Sequence, residues 1–183
     1  MISPVYSHPS SAQRLLTRYV MFSLSLLVLL LTGGSGCGDK IGDSCSRSTD
    51  CSSTGERVCD TISPDGYCTI AGCDFGTCPG ESICVRFFGG VIDQSLPCDP
   101  RTEDRTTDDC SPDDLCTLAG NCIPRTAERR FCMLTCSSDS DCRDKYECRT
   151  EELMRIHGGE PVPKAGEALG DNIQAFCAVA PQS

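Results

Sequence analysis

Seventeen cysteines carry most of the chemistry in this sequence. A thiol can pair with a second thiol, ligate a soft metal as thiolate, or accept a lipid as a thioether. Zinc and iron–sulfur sites favour cysteines about two to four residues apart. Cys132 and Cys136, three residues apart, and the four-residue gaps on either side of Cys73 come nearest to that spacing. No redox Cys-x-x-Cys is present. Cys45, Cys51, Cys59, Cys68, Cys73, Cys78, Cys84, Cys98, Cys110, Cys116, Cys122, Cys132, Cys136, Cys142, Cys148 and Cys177 form a near-continuous ladder. It reads as a disulfide framework without metal or cofactor, and spacing leaves its connectivity open.

The other reactive groups are sparse or ambiguous. Asp139 with Asp141, and Asp108, Asp109, Asp113 and Asp114, offer oxygens to calcium, yet neither set has the glycine and closing glutamate of an EF-hand loop. They read as solvated loop acids. His157 is the one histidine after Cys37, and it stands at the basic end of an expected helix, where the helix dipole accounts for it. Gly-x-Ser-x-Gly, a phosphate-binding glycine loop and His-Glu-x-x-His are all missing. The expectation is a protein that is not an enzyme. Arg105 and the Arg129-Arg130 pair lie between cysteines, where a trypsin-like protease would find them, so an anchored or secreted protease inhibitor or ligand-binding module is the alternative.

Composition says why the thiols must pair. Trp is absent, and beyond Cys37 only Phe75, Phe87, Phe88, Phe131, Phe176, Tyr67 and Tyr146 supply aromatic bulk. Ordering a residue costs roughly 1–2 kcal/mol of backbone entropy, and a chain this poor in large apolar groups is not expected to build one large core. Bridges worth about 2–4 kcal/mol each close the difference by constraining the unfolded state. They require an oxidising compartment, hence export. Beyond Cys37 there are 14 basic and 26 acidic residues, net −12. That acidity argues against nucleic acid and against adsorption to anionic lipid, and serves solubility.

The chain divides by composition. Residues 1–36 read as a signal peptide, with Arg14 and Arg18 ahead of an apolar run from Tyr19 to Leu31 that is shorter than a spanning helix needs. Residues 37–44 read as a polar tether. Module 1 is expected over 45–97 and module 2 over 98–183, with 99–114 as a charged linker or exposed loop. The fold class is small and disulfide-rich: loops and short β-hairpins in one or two cysteine-knotted modules. Phe87-Phe88-Gly89-Gly90-Val91-Ile92 gives the best local hairpin signal and a small satellite core. A short helix is expected over 150–157, capped by Thr150 and stopped by Gly158, after which Gly159–Pro163 breaks regular structure. The 28-residue gap before Cys177 implies a tie that pins the C-terminal segment. Cys45-Ser-Arg-Ser-Thr-Asp-Cys51 echoes Cys136-Ser-Ser-Asp-Ser-Asp-Cys142, and Cys68-Thr-Ile-Ala-Gly-Cys73 echoes Cys116-Thr-Leu-Ala-Gly-Asn-Cys122, in an order that does not give a clean tandem repeat.

The stretch Leu31-Thr32-Gly33-Gly34-Ser35-Gly36-Cys37 resembles the lipobox of bacterial lipoproteins. Ser35 and Gly36 match the two positions before the cysteine, while Gly34 stands where that family has leucine. The resemblance implies cleavage before Cys37, a diacylglycerol thioether on its sulfur and an acyl chain such as palmitate on its new amine. The odd cysteine count agrees, since lipidating Cys37 leaves sixteen. Gly38, rather than Asp, follows it, which in that family favours the outer over the inner membrane; plain secretion is the alternative. The segments CSRSTDC and CSSDSDCRDKYEC are similar in style to Dickkopf and whey-acidic-protein cysteine modules. The combined expectation is an envelope lipoprotein, held to the membrane by its lipid anchor, with a structural or protein-binding head and no nucleic-acid partner.

Overall fold

Ile83, Val85, Phe87 and Phe88 make the run Ser82–Phe88 a strong strand former, and in the computed structural model it is the centre of the largest sheet. The structure describes residues 40–89, 96–102, 109–169 and 173–181. In chain order the strands are β1 (Val58–Asp60), β2 (Tyr67–Thr69), β3 (Ser82–Phe88), β4 (Asp114–Cys116), β5 (Cys122–Pro124), β6 (Glu128–Leu134), β7 (Tyr146–Arg149), β8 (Glu160–Pro161) and β9 (Phe176–Val179). Among the described residues two α-helices accompany them, α1 (Ser48–Cys51) and α2 (Glu151–His157), with 3-10 turns at Arg125–Ala127 and Asp139–Asp141. The pairings are antiparallel: β1 with β2, β4 with β5, β7 with β9, and a three-stranded sheet in the order β6-β3-β8.

The same disulfide geometry recurs four times. Cys59 faces Cys68 across β1–β2, Cys84 faces Cys132 across β3–β6, Cys116 faces Cys122 across β4–β5, and Cys148 faces Cys177 across β7–β9. Cβ atoms directly opposite in a ladder are about 4.5–5.5 Å apart, wider than the roughly 3.5–4.5 Å a bridge requires. The facing pair therefore turns to two earlier cysteines instead. Cys45 and Cys51 bond Cys59 and Cys68, and Cys73 and Cys78 bond Cys84 and Cys132. Cys98 and Cys110 bond Cys116 and Cys122, and Cys136 and Cys142 bond Cys148 and Cys177. Each unit thus interleaves first to third and second to fourth.

The units are not all consecutive. The third lies wholly between the third and fourth cysteines of the second, and the chain leaves and rejoins the β3–β6 ladder where Phe88 faces Glu128 and Gly89 N–H donates to Ala127 O (3.2 Å). The bonding scheme explains why the two sequence echoes fall out of order. CSRSTDC and CSSDSDC both join the first and second cysteines of a unit, so they are true equivalents. The Cys-Thr-Leu/Ile-Ala-Gly segments are not, since Cys68 is a fourth cysteine and Cys116 a third.

Several expectations are corrected by this arrangement. Of the two readings of 99–114 the linker is overturned, because Cys98 and Cys110 belong to one unit, while Asp99, Arg101, Asp109 and residues 111–113 are exposed, as in a surface loop. Phe87 and Phe88 pair with Arg129 and Glu128 across the inserted unit, and the rest of the expected hairpin, from Gly90 on, lies outside the described residues. Residues 37–44 are not wholly a tether, because Ile41 is buried and Gly42 N–H donates to Cys68 O. Glu160 and Pro161, expected to break regular structure, form edge strand β8 against Arg86 and Val85; proline is tolerated there because an edge needs no further donor.

A main core does form, of modest size. Ile41, Val85, Leu118, Met133, Met154, Val162 and Phe176 pack with Tyr67, Tyr146 and three cysteines, joining residues on both sides of position 97. The β3–β6 ladder and the Cys78–Cys132 bridge also cross that position. Helix α2 stands where expected, with acids in its first turn and basic groups in its last; Thr150 occupies the N-cap without a side-chain bond, and Gly158 ends it at φ 77°. The Cys142–Cys177 bridge is the C-terminal tie. Among the described residues no helix is long and apolar enough to cross a membrane; the apolar run Tyr19–Leu31 and Cys37 lie outside them.

Candidate interaction surface

Strand β8 turns Glu160 inward beside Arg86 of β3, and the two form a buried ion pair: Arg86 Nε donates to Glu160 Oε1 at 2.7 Å. Glu160 Oε2 also accepts from Leu118 N–H, and Arg86 Nη2 reaches Cys116 O at 3.5 Å. One carboxylate therefore ties the inserted third unit to the central sheet. Burial pushes the Glu160 carboxyl above its usual range, opposed by Arg86 and the Leu118 amide. Arg155 of α2 adds a bond from Nη1 to Leu118 O.

A second cation organises the C-terminal unit. Arg149 is buried at the end of β7, and its Nη1 donates to the helix-end carbonyls of His157 (3.3 Å) and Gly158 (3.0 Å). Its Nη2 donates to Val179 O at 2.7 Å and its Nε to Glu147 Oε1 at 2.9 Å. These bonds serve the carbonyls a helix leaves open at its C-terminus. Burial lowers its pKa, with Glu147 acting the other way. His157 Nδ1 sits 2.8 Å from the same Glu147 oxygen, so the histidine belongs to this helix-end cluster.

Arg143 joins the first and fourth units. Its guanidinium lies over the rings of Tyr146 (4.4 Å) and Tyr67 (5.5 Å), which stack on each other, and Nη2 donates to the carbonyls of Pro64 and Gly66. Burial raises both phenols above their usual range. Lys145 Nζ pairs with Asp65 at 2.9 Å. The β1–β2 loop is therefore held from outside as well as by Asp60, whose carboxylate accepts from Ile62 N–H and Ser63 Oγ. On that pinned loop Ile62 is 96% exposed.

The most ligand-like feature among the described residues is an apolar hollow of about 400 Å³ between the start of β3 and residues 161–169, 173 and 174. Ile83, Cys78, Val162 and Leu169 line it, Phe75 stands at its rim 55% exposed, and the Lys164–Glu167 pair (3.0 Å) marks its polar side. Its one described hydroxyl, Ser82 Oγ, donates to Pro79 O. An apolar concavity with few polar groups has the make-up of a binding site, and an exposed aromatic beside it is the residue type that anchors interfaces.

The residues singled out in the sequence mostly have other employment. Asp139 Oδ1 accepts from Cys148 N–H, and Asp141 Oδ2 from Ser137 and Ser138 N–H, so both serve the backbone. Asp108 and Arg105 lie outside the described residues. Arg129 and Arg130 stand in β6, not in a protruding loop, and Arg130 pairs with Glu128 and Asp74. Cys132 and Cys136 belong to different bridges, and the four cysteine triplets whose sulfurs lie within 4.8 Å are interleaved disulfides with no thiolate to offer a metal. Sequence reasoning missed the Arg86–Glu160 pair, the Arg143 clamp and the hollow. Glu160 between Gly159 and Pro161 carried no burial signal, since it becomes internal only by joining β3.

No protein family, no curated protein and no solved structure matches this chain.

Proposed function

We propose that this chain is an exported lipoprotein of the bacterial cell envelope whose disulfide-stapled head is a non-catalytic protein-interaction module. One observation carries the reading. The sixteen cysteines from Cys45 to Cys177 pair among themselves, so none remains to bridge Cys37, the residue that closes the lipobox-like stretch. A thioether-linked lipid gives that thiol a use. Eight bridges independently require an oxidising compartment.

Intact-mass analysis of the natural protein tests the reading. The expected mass is that of residues 37–183 with eight bridges plus diacylglyceryl and one N-acyl chain. An unmodified N-terminus at another residue overturns it, and an unmodified Cys37 at the N-terminus points to plain secretion. The interaction role rests on the hollow beside Phe75. Its test is cross-linking of the lipid-free head in envelope extract: a specific partner that Phe75→Ser loses supports it, and no partner, or one indifferent to Phe75, counts against it.

A further inference from the structure

We infer that the lipid-anchored head rests directly on the membrane surface, on a leash too short to lift it away. The inference builds on the lipoprotein reading. Its evidence is how firmly the residues from Lys40 to Cys45 are built into the head. Ile41 is 1% exposed and belongs to the main core. The residues around it are fastened: Gly42 N–H donates to Cys68 O (2.9 Å), Cys68 N–H to Asp43 O (2.9 Å), Cys45 N–H to Asp65 O (3.1 Å), and Lys40 N–H to the Asp43 carboxylate (2.6 Å). Gly42, at φ +96°, runs so close to Leu134 that a Cβ would lie 3.1 Å from Leu134 Cβ. This start of the head cannot peel away without exposing Ile41.

Only Gly38, Asp39 and Lys40 separate Cys37 from Ile41. Four Cα steps of about 3.8 Å span at most about 15 Å. The headgroup layer of one leaflet takes roughly 5–7 Å of that, so Ile41 stands at most about 10 Å above the headgroups. A globule of this length has a radius of gyration of about 15 Å. The leash is shorter than the body it holds, and the face around Ile41 meets lipid headgroups.

The ladder also has a direction. From Gly42 to Cys45 the chain runs antiparallel to residues 65–68, toward the β1–β2 loop. The pinned loop that exposes Ile62 is therefore at the far end of this ladder from Lys40. Contact with the membrane is imposed by the leash rather than by attraction, because the mature chain is net −12 and anionic lipid repels it. Low salt widens the gap only until the leash is taut.

Neutron reflectometry of the natural lipidated protein on a supported bilayer of phosphatidylethanolamine and phosphatidylglycerol tests this, with the mass of the same preparation measured alongside. The expected profile has protein density starting within about 10 Å of the headgroups at any ionic strength. A variant with twenty Gly/Ser residues between Asp39 and Lys40 gains a hydrated gap of roughly 25 Å, the root-mean-square reach of such a linker. A lipidated native protein already separated by such a gap overturns the inference and leaves the lipoprotein reading intact. A mass without lipid overturns both.

Discussion

The second and third disulfide units share one bonding scheme, yet they are stabilised differently. In the second, β3 and β6 are seven residues long and place Val85 and Met133 in the main core beside Cys84 and Cys132. In the third, β4 and β5 are three residues long, and the unit's own buried cluster is Cys110, Cys116 and Cys122 with Cys98 against it. Among the described residues of the third unit, Leu118 is the one that enters the main core. Bridges supplement an extensive core in one unit, and in the other they stand beside a small apolar set, buried Leu115, Leu118 and Ile123. The inserted unit can therefore depend on its sulfurs and on the few polar contacts that dock it.

Removing bridges sharpens that contrast. The largest effect belongs to Cys78→Ser with Cys132→Ser, because this bridge spans 54 residues; chain entropy assigns it about 4 kcal/mol. A cooperative loss of that size is expected in denaturant melts, and a loss below about 1 kcal/mol would show that core packing alone holds β3 to β6. Next comes Cys110→Ser with Cys122→Ser, closing 12 residues and worth about 3 kcal/mol in the same treatment. Here hydrogen exchange should show lost protection over 114–124 while amides of β3 and β6 keep theirs. Equal loss in both places would break the distinction between the units.

Glu160→Gln probes the docking between them. It leaves the Arg86 cation buried without its counter-charge, but an amide oxygen still accepts, so the cost is roughly 2–3 kcal/mol, less than outright removal of a buried partner. Exchange at Leu118 N–H, which donates to Glu160, reports it directly. An unchanged melt together with unchanged exchange there would remove the ion pair from the account.

The smallest effect compares the two equivalent echoes. Asp50 and Asp141 are both held below the usual aspartate range, Asp50 chiefly by Ser46 N–H and then Arg47, and Asp141 by Ser137 and Ser138 N–H. A carboxyl whose folded pKa is depressed stabilises above its unfolded pKa and loses that contribution as pH falls through the folded value. Asp50→Ala and Asp141→Ala should each lower the melting temperature slightly at about pH 6 and lose the difference near pH 2. A difference that persists in acid would assign the effect to something other than charge.

Local chemistry was legible where the answer depended on neighbours in sequence. Helix α2 followed from acids, basic groups and Gly158 within eight residues, and the CSRSTDC echo from a short cap in which the aspartate folds back on its own backbone. Phe88 pairs with Glu128, forty residues away, a partner that cross-strand preference cannot announce across an insertion. The tether expected over 37–44 does not extend past Ile41, because that residue, one aliphatic among polar neighbours, has a core to enter.

By itself the sequence determined that this chain must be stapled. Seventeen thiols, scarce aromatics and strong acidity leave disulfides in an oxidising compartment as the way to offset chain entropy. Only the tertiary structure decided which thiols meet, that one unit is inserted within another, and that Glu160 is buried while Ile62 is bare. Pairing depends on which cysteines a ladder brings opposite, and that register is set by packing between residues far apart in the chain.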